Sequence, residues 1–127
     1  MTGPAYRYSA VVVRVVDGDG LVVSVDLGWS VWLHSQRIRL AGCNARELPE
    51  PGGVEARDHL AELLPAGTAV TLATVKIDRY GGRYDAHVTL PDGRDLVSLL
   101  IAAGWAAPWD GRGPRPVPLW PRPKGVA

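Results

Sequence analysis

The chain has no phenylalanine and, in 127 residues, only one cysteine, one methionine and two lysines. The single cysteine, Cys43, excludes an internal disulfide and fits a reducing compartment. No stretch approaches the roughly 18 apolar residues of a membrane span. The N-terminus also lacks the basic segment and apolar run of a signal peptide, so a cytoplasmic protein with no membrane partner is expected. His34, His59 and His87 are dispersed, and no Cys or His pair has zinc-ligand spacing, which sets aside a histidine-metal chemistry. An excess of one charge is missing too. Fourteen basic against 13 acidic residues gives +1, which excludes a protein that grips nucleic acid by bulk charge. At 13.6 kDa there is room for one domain and one core.

What is present is unevenly placed. Residues 1–46 hold five basic and three acidic side chains, 47–64 hold one basic and five acidic, and the chain after Leu96 holds four basic and one acidic. Ser9–Val16 and Leu21–Leu27 are valine-rich and flank an Asp-Gly-Asp-Gly turn, which predicts a hairpin. Trp29–Leu40 predicts a third strand whose imperfect alternation places a bulge near Ser35-Gln36. Val54, Leu60, Leu63 and Leu64 recur at helical spacing before Pro65 and Gly67. Thr68–Ile77 and Tyr84–Leu90 predict two more strands, and Asp95 caps a second helix over Leu96–Ala103 that Gly104 ends. Three strands, a helix, two strands and a helix give an α+β, mainly β chain: a five-stranded OB-type Greek-key barrel with two helices. Residues 1–107 form this domain. Residues 108–127 form a Pro/Arg-rich tail that cannot continue a helix and is expected to be extended.

Three segments carry chemistry: Asp17-Gly18-Asp19-Gly20, Arg37 to Glu47, and Asp78-Arg79-Tyr80-Gly81-Gly82-Arg83. Arg37 and Arg39, two apart in a strand, share a face. Carboxylates, arginines and a glutamate supply what phosphodiester hydrolysis requires: a metal to hold the phosphate, cations for the charge of the pentacovalent transition state, and a group that orients or deprotonates water. In order and spacing these segments resemble the thermonuclease-like (staphylococcal nuclease) family between about Val12 and Ala106.

The resemblance implies an OB-type barrel and a Ca²⁺-dependent nuclease acting on DNA, RNA or both with low sequence preference, as a monomer. It implies Asp19, Asn44 and the backbone carbonyl of Ala45 as calcium ligands. Glu47 would serve the attacking water, and Arg39 and Arg83 would clamp the phosphate. Arg79 and Tyr80 would touch a terminal phosphate, and Trp109 falls close to base-stacking positions. Asp17 either joins the metal site or braces the hairpin turn, the latter being favoured.

The chain departs from the family pattern at four places. Asn44 replaces an aspartate, removing a negative charge from the ligand set. Gly20 replaces a threonine, and Arg46 replaces a proline before Glu47. An additional glycine in Gly81-Gly82 leaves Arg83 in the arginine position only if the turn is wider; otherwise Gly82 occupies it. These departures support a second expectation, a catalytically weakened OB module that binds single-stranded nucleic acid or a protein partner. Cys43 is expected to be a small buried apolar residue, and Trp105 to belong to the core.

Overall fold

The structure, a computed structural model, describes residues 6–78 and 82–123. Strand β1 (Arg7–Asp17) turns through Gly18-Asp19 into β2 (Gly20–Gly28), and Trp29-Ser30, both at positive φ, turn β2 into β3 (Val31–Leu40). Alternation decides the faces. Ala10 and Val12 of β1 and Val23 and Val25 of β2 point into one core, while Val13 and Arg14 remain outside. The bulge expected near Ser35-Gln36 is present: Ser35 has φ 57° and the β2–β3 register breaks between Val23 and Val25.

After a short strand β4 (Cys43–Ala45), helix α1 (Gly53–Leu63) packs on β1 and buries Ala56 and Leu60. Strands β5 (Ala69–Asp78) and β6 (Arg83–Thr89) follow, then α2 (Leu96–Ala102) and β7 (Ala106–Pro108). The barrel closes in the order β1-β2-β3-β6-β5, with β5 antiparallel to β1. β3 runs parallel to β6 through Ile38↔Tyr84, Arg39↔Asp85 and Leu40↔Ala86. This is an OB-type α+β fold.

The core is aliphatic, as the lack of phenylalanine requires. Val12, Leu21, Val23, Leu40, Leu60, Leu72, Val88, Leu96 and Leu100 are fully buried, each contributing about 1.5–3 kcal/mol of transfer free energy. Asp95 caps α2, accepting the Ser98 backbone N–H at 3.0 Å.

The sequence order of strands and helices is reproduced to within a few residues at each boundary. The second sheet is additional. β4 and β7 pair antiparallel through Cys43↔Pro108, Asn44↔Ala107 and Ala45↔Ala106. Three-residue strands are too short for periodicity to register. Residues 109–123 form neither helix nor strand, and they return across the end of the barrel where β1, β3 and β4 meet.

Candidate phosphodiester site

A cleft of about 300 Å³ is lined by Asp17 and Asp19 from the first hairpin, Arg39 from β3, Asn44 from β4, Glu47 from the loop before α1, Arg83 from β6 and Arg115 from the tail. Segments spread over a hundred residues therefore present their polar side chains to one space.

Arg39 is its buried centre, 8% exposed. Its Nη1 donates to the Leu40 carbonyl at 3.2 Å, and its Nη2 to the Cys43 carbonyl at 3.2 Å and Asn44 Oδ1 at 3.5 Å. Nη2 also lies 3.7 Å from Asp19 Oδ2. Fixed in this way, the planar guanidinium loses little further freedom when it meets an anion. β3 places it there because the parallel pairing with β6 holds the end of the strand against the second sheet's first residue, Cys43.

Asp19 is set by two hydrogen bonds from distant segments, one from the end of β3 and one from β4. Its carbonyl accepts the Leu40 N–H at 2.8 Å, and Oδ2 accepts the Ala45 N–H at 3.0 Å. Burial pushes its pKa up to about 6, with the Asp17 carboxylate adding to the rise and the Ala45 N–H and Arg39 opposing it. Asp17 does brace the turn, accepting the Asp19 N–H on Oδ1 at 3.2 Å, and it faces the cleft as well. A Cβ on Gly20 would sit 2.7 Å from that Oδ1, so the glycine leaves room for the brace.

Asn44 is 3% exposed and divided in its contacts. Oδ1 faces Arg39, while Nδ2 donates to the Pro116 carbonyl at 2.8 Å. Arg46 does the same one turn of chain further, donating from Nε to the Pro118 carbonyl at 2.9 Å and from Nη1 to the Pro51 carbonyl at 3.2 Å. Beyond these two bonds Trp120 lies against Gly52, where a Cβ would meet the indole at 2.5 Å. Arg122 donates to the Ala103 carbonyl at 2.6 Å and stacks 4.1 Å over Trp105.

Glu47 is half-exposed, and its carboxylate pairs with Arg115. Its backbone is held more firmly than its side chain. The Glu47 N–H donates to Glu50 Oε1 at 2.7 Å, its carbonyl accepts the Glu50 N–H at 2.9 Å, and the Glu50 carbonyl accepts the Gly53 N–H at 3.0 Å. Gly53 opens α1 so close to this loop that a Cβ would collide with the Glu47 carbonyl. Arg83 begins β6, directly after Gly82 at φ 60°, and its side chain reaches the cleft. Two guanidiniums lie over Trp109, Arg39 at 5.3 Å and Arg115 at 5.7 Å from its ring centre. Arg79 and Tyr80 lie outside the described residues. Cys43 is fully buried, and burial pushes its thiol up to about 12. Trp105 is partly buried against the core and stacks on His59 at 4.6 Å.

Arg115 is the cleft residue that sequence reasoning passed over. It stands in a Pro-rich stretch whose composition says only that it is extended, and nothing local ties it to a carboxylate 68 residues away. Among the described residues no three His, Cys, Asp or Glu side chains form a metal-binding group. The oxygen donors that meet here are the Asp19 carboxylate and Asn44 Oδ1, with Ala45 joined to Asp19 through its N–H. Two side-chain oxygens without nitrogen or sulfur donors do not make a zinc site, and they are fewer than the roughly six to eight oxygens that Ca²⁺ takes. Among the described residues no helix is long and apolar enough to cross a membrane.

By fold and site, the chain is an OB-type barrel with an arginine- and carboxylate-lined cleft at one end. No protein-family model matches it, and no curated protein does.

Proposed function

We propose that the chain is a Ca²⁺-dependent nuclease of the thermonuclease-like type, hydrolysing phosphodiester bonds of DNA or RNA with little sequence preference. The observation that supports this most is the meeting of Asp19, Arg39, Asn44, Glu47 and Arg83, from separate segments, in one cleft. In this reading Arg39 and Arg83 bind two oxygens of the phosphate and strengthen their hold as negative charge accumulates on it. Glu47 accepts a proton from water, or holds that water in line, as it attacks phosphorus; the opposite ester P–O bond breaks and the departing oxygen takes a proton from solvent. Asp19, Asn44 Oδ1 and the Ala45 carbonyl would hold the ion, which supplies electrostatic stabilisation of the phosphate when bound. With no base-reading element among the described residues of the cleft, recognition rests on phosphate and on stacking.

A second reading, an OB module that binds single-stranded nucleic acid without cutting it, is favoured by the pairing of Glu47 with Arg115. Cleavage of labelled single-stranded DNA and RNA by wild type and Glu47→Gln, each with Ca²⁺ and with excess chelator, separates the two. Cutting by wild type with calcium alone is expected. Binding that ignores both chelator and substitution, with no cutting by either protein, would sink the nuclease reading.

A further inference from the structure

Two of the four departures from the nuclease pattern do the same thing. Asn44 stands where a carboxylate is expected, and Arg46 where a proline is expected; each donates a hydrogen bond to a tail carbonyl, Pro116 and Pro118. An aspartate or a proline could donate neither bond. Trp120 against Gly52 and Arg122 on Ala103 and Trp105 extend the same attachment. The tail is thus seated by residues of the cleft's own rim, and the side chain it carries into the cleft is Arg115.

We propose that Arg115 is a third phosphate-contacting arginine of this site, delivered by the tail and stored on Glu47 until substrate arrives. This rests on the phosphodiesterase reading of the cleft. Arg115 lines the same space as Arg39 and Arg83, and its guanidinium is about half-exposed. An ion pair between partners this exposed is weak and readily exchanged for a phosphate oxygen. The exchange serves both partners: the guanidinium gains a bidentate acceptor, and Glu47 is released to water.

The charge balance points the same way. Among the described residues, the cleft is lined by three carboxylates, Asp17, Asp19 and Glu47, and by three guanidiniums, Arg39, Arg83 and Arg115. A divalent cation added to that balanced set leaves two positive charges, the complement of a phosphodiester that gains a second negative charge in its transition state. Of the described residues' contribution to that charge, Arg115 supplies one unit. Both Arg39 and Arg115 lie over the Trp109 ring, which ties the two guanidiniums to one aromatic surface.

The test is binding of a labelled single-stranded oligonucleotide in chelator, titrated over salt, with cleavage measured in parallel in Ca²⁺. Arg115→Ala is expected to bind several-fold more weakly, with a salt slope shallower by about 0.7, the loss of one phosphate contact on a single strand. Arg115→Lys is expected to keep the wild-type slope and lose at least about tenfold in cleavage, because an ammonium cannot make the paired contact. Wild-type slope in Arg115→Ala, or faster cleavage by it, overturns the proposal and leaves Arg115 a mere cover on Glu47. A shallower slope in a protein that never cuts supports Arg115 and removes the nuclease reading. Absence of oligonucleotide binding by wild type overturns both.

Discussion

Asn44 donates its side-chain amide to the Pro116 carbonyl at 2.8 Å while its Oδ1 faces Arg39 Nη2 at 3.5 Å, so one buried amide joins the tail to the cleft. A carboxylate in its place would set a second negative group beside Asp19 and turn an oxygen against the Pro116 carbonyl. Asn44→Asp is therefore expected to lose about 1–3 kcal/mol of stability in chelator, the cost of a buried polar group without its partner. Under the proposed function, added Ca²⁺ should recover much of that loss, since the extra carboxylate would strengthen the ligand set. Thermal melts of both proteins with chelator and with calcium check this. Equal melting temperatures in chelator would count against the Pro116 bond.

Glu47→Gln separates chemistry from folding. Under the proposed function cleavage should fall about 10²- to 10⁴-fold, the usual worth of a general base. Stability should move by less than about 1 kcal/mol, because the pair with Arg115 is half-exposed. Single-turnover cleavage and a denaturant melt on the same preparation give both numbers. A variant that cuts at the wild-type rate removes Glu47 from the mechanism.

His59 makes stability depend on pH. It stacks on Trp105, burial lowers its pKa from the ordinary 6.5, Arg122 lowers it further, and Glu62 opposes them. The folded state therefore prefers neutral imidazole. The stability it contributes is complete above the unfolded value and is lost as pH falls through the folded one. Between pH 7 and 5 the melting temperature of wild type should fall relative to that of His59→Gln, a comparison that cancels the opposite trend from Asp19. Arg122→Ala should bring the His59 pKa, followed by NMR, back toward the ordinary value.

Cys43 should be inert. With its side chain fully buried and its thiol pushed up to about 12, almost no thiolate is present at pH 8. A disulfide reagent at that pH should leave the native protein unlabelled over hours and label one thiol at once in guanidinium. Rapid labelling of the native state would show that β4 opens far more readily than its pairing with β7 implies.

Much of the barrel was legible because its strands are long and alternate, and its helices are bounded by Asp95, Gly104 and Pro65. The bulge at Ser35 was legible for the same reason, as a break in that alternation. The second sheet was not, since Cys43–Ala45 and Ala106–Pro108 acquire their strand character only from each other. At the cleft, Asp19, Arg39, Asn44, Glu47 and Arg83 could be picked out from short segments with recognisable content. Arg115 could not, because its significance depends on a chain reversal fixed by Asn44 and Arg46, and those residues read in isolation as losses.

The near-contact between Gly53 and the Glu47 carbonyl bears on how this protein would answer random mutagenesis. Any side chain at position 53 must push the loop off the start of α1 and take Glu47 with it. Under the proposed function, a search for inactive clones would therefore recover Gly53 alongside Glu47, although the glycine would touch neither water nor phosphate. The two kinds of clone would differ in stability: Glu47 variants keep the loop on α1, whereas Gly53 variants must displace it.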